Sequence, residues 1–264
     1  SRQMFRGLPI GTAAPTTDEL ATVRHHFVQF LELDQYYSAA CFEEDVMKLL
    51  PQMWEQSDYA VMCGGSMMYI DAVVNGIDEL PTITPEIRAH VKELYDRGGI
   101  ETLHEHLRRL DPEYLKSADP ANHRRLIHAI EISLQAGVPY SSLRTGQRKE
   151  RPFRVVKLAI DHEREVLFDR INRRVDAMMG AGLLDEARKV YPLRELNSLN
   201  TVGYKELFAY FDGTMDLSTA VARIGKNTRV YAKKQLTWLK KSDDVIYIKA
   251  NTPLSEVLDI IKSV

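Results

Sequence analysis

The chain is poor in cysteine, and what it has forms no pattern. Cys41 and Cys63 are the only two in 264 residues. They give neither a disulfide framework nor a C-x-x-C metal spacing. Both fall in apolar stretches, the setting of a reduced, buried thiol, so the compartment expected is the reducing cytoplasm. No apolar run approaches the roughly 20 residues that span a bilayer, and no membrane contact is expected. There is no G-x-x-x-x-G-K-[ST] stretch to cradle a nucleoside triphosphate. No Ser-His-Asp arrangement is legible from spacing, and His25-His26 has no third ligand at metal spacing. Repeats and low-complexity tracts are missing too.

What is present is ordinary in bulk and uneven in detail. The chain is 44% apolar and 27% charged, with a formal net charge of −2, which suits a globular protein of one or two domains. Yet residues 223–241 hold seven Lys/Arg and no acid. At helical spacing Lys226, Arg229, Lys233 and Lys240 form one stripe, and Ile224, Tyr231 and Trp238 another. A helix docked by its apolar stripe can track a phosphate backbone with its basic one. The same run also reads as a solvated cationic face. Its charge excess against an acidic background keeps nucleic acid in play.

Periodicity gives an α/β organisation. Thr17 caps a short helix over 17–25, residues 27–33 look like a strand, and Ser38 caps a helix to about Leu50. The apolar run 59–63, followed by Gly64-Gly65-Ser66 and a helix to Asn75, reads as a buried parallel strand feeding a helix. Ligands bind at such strand ends in open α/β sheets. Between 81 and 145 no strand candidate occurs, and Thr84-Pro85, Gly98-Gly99, Asp111-Pro112 and Gly137 punctuate three helices. A strand returns at 154–160. Helices follow at about 163–180, 184–190, 203–211, 216–221 and 223–241, then a strand at 245–248 and a last helix. The expected division is 1–80 and 146–264 as one core, with 81–145 inserted as an all-helical domain.

Three clusters carry candidate chemistry. Gly64-Gly65-Ser66 offers backbone amides and a hydroxyl at a helix start, suited to a phosphate, or simply a turn with a serine cap. Arg170 and Arg174, at i and i+4, could clamp a diphosphate, or pair with Glu163 or Asp169 on the surface. Arg124, Arg125 and His128 share a helix whose Leu126, Ile130 and Leu134 face a core, and either meet an anion or are solvated.

Taken in order, six segments resemble the tRNA dimethylallyltransferases. They are Ser-Arg-Gln-Met-Phe-Arg-Gly-Leu-Pro-Ile-Gly-Thr-Ala (1–13), Tyr-Ser-Ala-Ala-Cys-Phe (37–42) and Gly-Gly-Ser-Met-Met-Tyr (64–69), then Arg-Ile-Asn-Arg-Arg-Val (170–175), Thr-Val-Gly-Tyr-Lys-Glu (201–206) and Lys-Lys-Gln-Leu-Thr-Trp-Leu-Lys (233–240). The resemblance covers essentially the whole chain. It implies a P-loop-kinase-like parallel-sheet core with an all-helical insertion. It also implies transfer of a dimethylallyl group from dimethylallyl diphosphate to N6 of the adenine 3′-adjacent to the anticodon of tRNA, with Mg²⁺. An exocyclic amine is a poor nucleophile, so a positioned carboxylate helps it lose its proton. The departing pyrophosphate needs cations, and the adenine must leave its stack.

By the same resemblance Ser1, Arg2 and Gln3 contact the target adenine, and Ser66 replaces the usual Thr of Gly-Gly-Thr while keeping its hydroxyl. Arg174, with Arg170 beside it, matches the diphosphate-binding helix. tRNA contacts are implied at Arg88, at Arg124, Arg125, Leu126, Ile127 and His128, and at Asn200, Thr201, Val202, Gly203, Tyr204 and Lys205. The last group is Lys233, Lys234, Gln235, Leu236, Thr237, Trp238, Leu239 and Lys240. Two departures stand out. Thr12-Ala13-Ala14-Pro15 lacks the lysine of the commoner Thr-Ala-Lys-Pro. The family's opening strand, P-loop and general-base Asp are absent from the 264 residues. They are expected before Ser1, because a parallel core without its central strand exposes an apolar slot, and a chain lacking them is expected to be inactive. The expected partners are the tRNA anticodon stem-loop and dimethylallyl diphosphate, and the expected assembly is a monomer. Rival readings are an adenylate isopentenyltransferase acting on free AMP and a non-catalytic tRNA-binding remnant.

Overall fold

Side-chain caps fix where the longer helices begin in the structure, a computed structural model that describes residues 1–263. Thr84 accepts from the Ile87 N–H ahead of Pro85–Leu110, Asn122 from Arg125 ahead of His123–Ala136, and Asp216 from Thr219 ahead of Leu217–Leu239. Each cap satisfies a donor that a first helical turn leaves unpaired.

The chain divides into two compact units. The first comprises Ser1–Ser38, Tyr59–Ile70 and the chain from Phe153 onward; the second comprises Ala39–Asp58 and Asp71–Pro152. In the first, strands β1 (Lys157–Asp161) and β2 (Val245–Lys249) pair in parallel, with Lys157 opposite Val245 and Asp161 opposite Lys249. A parallel pair needs a long crossover. Here it carries Arg164–Gly180, Leu183–Val190, Tyr204–Phe211 and Leu217–Leu239. Leu183, Ala187, Leu199, Tyr204, Leu207 and Ala220 are fully buried among these helices.

In the second unit Pro85–Leu110 packs on His123–Ala136 around Val91, Leu103, Leu107, Leu126 and Ile130, all with no exposed surface. Pro85–Leu110 is kinked at Gly99 (φ 63°, ψ −156°), where two helical stretches meet without a loop. The buried Glu43 of Ala39–Trp54 binds Arg151 at 2.7 Å, Lys149 at 3.1 Å and the Ile77 N–H at 3.1 Å. Burial alone pushes this carboxyl up; the Arg151 and Lys149 contacts outweigh it and hold the group below its ordinary value.

The fold is mixed α/β, as the patterning predicts, but several expectations need correction. Residues 27–33 form no strand: Phe27 and Gln29 take positive φ (61° and 48°), leaving one parallel bridge between Phe5 and Leu31. The run 59–63 is no buried strand either. No described strand lies beside it to complete a ladder, and Tyr59 and Val61 are 56% and 88% exposed. Cys63 is accordingly exposed and Cys41 only partly buried. The two helices expected over 216–241 are one, Leu217–Leu239.

Candidate functional site

The N-terminal segment is anchored by its apolar residues and presents its polar ones. Met4 and Phe5 are buried, and the Phe30 and Leu31 N–H groups donate to the Met4 carbonyl. That fixes Ser1, Arg2 and Gln3 just upstream. Ser66 Oγ donates to Ser1 Oγ at 2.8 Å and accepts from the Ser1 main-chain nitrogen at 3.2 Å. Meanwhile the Ser66 carbonyl accepts from Tyr69 and Ile70 N–H at the start of Met67–Asn75. The backbone of Ser66 thus begins the helix while its hydroxyl is turned to the N-terminal segment.

Leu217–Leu239 reaches the same turn. Tyr231 Oη and Gln235 Nε2 both donate to the Gly65 carbonyl, at 3.2 and 2.8 Å, occupying both lone pairs of that oxygen. Arg2 lies near Tyr69 and Tyr231; burial lowers its guanidinium pKa, and the two phenols oppose that. Gln3 Nε2 donates to the Thr12 and Ala13 carbonyls at 3.1 and 2.6 Å, joining the Pro9–Thr12 turn to the cluster. Hydroxyls, an amide and a guanidinium flanked by phenols are equipped to orient a nucleobase edge. None of these side chains is a carboxylate.

Arg170 and Arg174 lie elsewhere on their helix. Phe168 and Asn172 meet Leu217–Leu239: Arg229 Nη1 donates to Asn172 Oδ1 at 2.5 Å, and Arg229 and Lys233 stand 5.9 and 5.7 Å from the Phe168 ring centre. At 100° per residue Arg170 and Arg174 point away from that face. Both are exposed, and among the described residues neither makes an ion pair; Asp169 pairs with Arg173 instead, at 2.5 Å. No described hydrogen bond joins them to Ser66.

The remaining sites fall into exposed and buried sets. Asn200, Lys205, Lys233, Lys234, Leu236, Thr237 and Lys240 are exposed, and Thr201, Val202, Gln235, Trp238 and Leu239 partly so. Gly203 and Tyr204 are buried, which excludes Tyr204 from direct contact with an RNA. Its phenol donates to Glu186 Oε1 at 2.6 Å; burial and this bond push its pKa far up. In the second unit Arg88, Arg124 and Arg125 are exposed and Ile127 partly so, but Leu126 has no exposed surface and cannot touch a ligand. His128 is exposed too, but desolvation of its ring, which packs edge-on to Tyr140 at 5.7 Å, and then the charge of Arg88 lower its pKa.

Sequence reasoning missed three contributors. Tyr231 reads as part of a docking stripe but serves the Gly65 turn. Glu206 accepts from the Gly203 N–H and from Asn227, and the Gly-x-x-Glu spacing is a capping signal that could have found it. Glu186 takes partners 175 and 176 positions away, which no local pattern marks. Among the described residues no three His, Cys, Asp or Glu side chains gather as a metal-ligand set. They offer no all-protein cage for Mg²⁺, an ion more often held by one or two carboxylates together with substrate phosphates.

Residues 3–242 match the IPP transferase family. The chain is 50% identical over 264 residues, its whole length and 88% of the relative, to tRNA dimethylallyltransferase 1 of Phocaeicola vulgatus. Among solved structures it resembles the tRNA isopentenylpyrophosphate transferase of Bacillus halodurans with a TM-score of 0.69. That likeness has 31% identity and covers all of this chain and 84% of that one. A eukaryotic dimethylallyltransferase acting on tRNA shares the fold, with a TM-score of 0.79 at 21% identity over 100% of this chain and 72% of the other.

Proposed function

The chain belongs to the IPP transferase family, and on that premise we propose that it transfers a dimethylallyl group from dimethylallyl diphosphate to N6 of the adenine 3′-adjacent to the anticodon of a tRNA. One observation carries the reading at the site. The N-terminal segment, the Gly65-Ser66 turn and the basic helix converge through Ser1–Ser66 and Gly65–Tyr231/Gln235. A nucleobase reader and a phosphate-tracking helix therefore share one locus. Ser1, Arg2, Gln3 and Ser66 orient the flipped adenine, and the exposed members of 200–205 and 233–240 hold the RNA backbone. Arg88, Arg124 and Arg125 add tRNA contacts from the 81–145 insertion. Arg170 and Arg174, unpaired on their helix, take the diphosphate. Proton removal from N6 is assigned to none of these residues.

Free AMP is the less favoured acceptor, since a mononucleotide makes no use of a basic stretch with seven cations in 223–241. The cytoplasm, where tRNA is modified, is the proposed location; no described helix is long and apolar enough to cross a membrane. The test is incubation of the protein in its natural length with labelled dimethylallyl diphosphate and either unmodified tRNA or AMP. Label on the adenine next to the anticodon supports the reading. Label on AMP alone overturns it.

A further inference from the structure

A buried carboxylate is joined to the proposed adenine reader through the Pro9–Thr12 turn. Glu186 is 6% exposed, and the partners it takes among the described residues are hydrogen-bond donors and not cations. Its oxygens are matched by three donors: Ile10 N–H to Oε2 at 2.8 Å, Gly11 N–H to Oε1 at 2.8 Å, and Tyr204 Oη to Oε1 at 2.6 Å. Ile10 and Gly11 follow Pro9 in the first turn of Pro9–Thr12, whose own N-cap, Leu8, supplies no side-chain bond. Their N–H groups are the orphans of a helix start. Glu186 caps that turn from 175 and 176 positions along the chain, and these donors offset the burial of its carboxylate.

The other end of the turn is gripped by Gln3, through the Thr12 and Ala13 carbonyls. Ala13 is held in the left-handed region (φ 48°). With Glu186 at one end and Gln3 at the other, the turn links the carboxylate to the Ser1–Gln3 segment. We infer that Glu186 is a positioning residue for prenyl transfer: through Ile10, Gly11 and the Thr12–Ala13 carbonyls it sets where Gln3, and with it the Ser1–Ser66 pair, stands. The inference rests on the reading of Ser1–Gln3 as the adenine-contacting segment.

Glu186→Gln tests it in the natural-length protein. The amide keeps the shape but aims a donor at one of three donors. Single-turnover transfer at saturating tRNA should slow about tenfold to a hundredfold, as displaced reacting groups do, while tRNA affinity moves less than about twofold. Tyr204→Phe, which removes one of the three donors and so loosens the carboxylate's hold on both N–H groups, should slow transfer by well under a decade. A merely structural role predicts lost yield of folded protein and a normal rate in what folds. A folded E186Q with unchanged single-turnover rate, or a loss seen wholly as weaker tRNA binding, overturns the inference. If E186Q does not fold, hydrogen exchange in Tyr204→Phe decides. The Ile10 and Gly11 amides should exchange faster than in wild type, and unchanged exchange with unchanged rate counts against it. A wild type that transfers nothing sinks the functional reading instead. Exchange at Ile10 and Gly11 in E186Q then still shows whether Glu186 holds the turn.

Discussion

Gly11 and Gly65 are both held to glycine by a neighbour, but the neighbours differ in what they can yield. A Cβ on Gly11 would overlap Tyr204 Oη and stand 2.6 Å from its ring, and that ring is fully buried. A Cβ on Gly65 would meet Gln235 Nε2 at 1.8 Å, the end of a flexible, half-buried side chain. Gly11→Ala should therefore cost about 1–3 kcal/mol of stability, and Gly65→Ala less than about 1 kcal/mol, since it loses one hydrogen bond. Thermal melts of the two variants check this. Equal losses would mean that Gln235 is as rigid as Tyr204. Arg174, exposed and unpaired, makes the opposite case. Arg174→Ala should leave stability unchanged yet slow transfer by about one to two decades, through loss of a contact worth about 1.5–3 kcal/mol. A normal rate at limiting dimethylallyl diphosphate would remove Arg174 from the site. At this scale the sequence led to Ser1, Gln3, Ser66 and Gln235, because a segment match names positions. It could not separate Tyr204 and Leu126, which are buried, from their exposed neighbours.

Single contacts become element-level structure where one side chain ties several segments, and Glu43 does so in the second unit. From Ala39–Trp54 it binds Arg151, Lys149 and the Ile77 N–H, while Arg151 Nη2 also donates to the Ala72 carbonyl at 2.8 Å. Because the folded pKa of Glu43 lies below its unfolded one, its stabilisation is present above the unfolded pKa and is lost as pH falls through the folded one. Glu43→Gln should cost about 3–5 kcal/mol near neutrality by leaving Arg151 buried without its anion. Its urea midpoint should then fall less than that of wild type as pH drops below about 4. Parallel midpoints across that range would show that Glu43 titrates alike in both states. Helices, with the cap at Thr84 and the interruption at Gly98-Gly99, were legible because those signals are local, although the structure makes that interruption a kink within Pro85–Leu110 and not a helix end. The strands at 27–33 and 59–63 were not, because a strand exists only with a neighbour to pair, and apolar composition says nothing of the neighbour.

Taken whole, the molecule carries a charge of −2 and is proposed to bind a polyanion. Its net field does not favour that encounter, so affinity must come from local cations close to phosphates. The basic run is divided in how free those cations are. Arg229 is spent on Asn172 and the Phe168 ring, whereas Lys226, Lys234, Lys240 and Lys241 are exposed, as is Lys233 beside that same ring. The stripe expected from spacing is thus partly a packing surface, a distinction that depends on where Arg164–Gly180 lies and not on the spacing of lysines. Arg229→Ala should act mainly on stability. Lys233→Ala with Lys240→Ala should weaken tRNA binding and reduce the slope of log affinity against log salt by roughly two units. Dimethylallyl diphosphate binding should be unaffected in that double variant. Titrations of tRNA affinity at several salt concentrations decide the matter, and lines parallel to wild type would mean that this helix faces solvent when tRNA is bound.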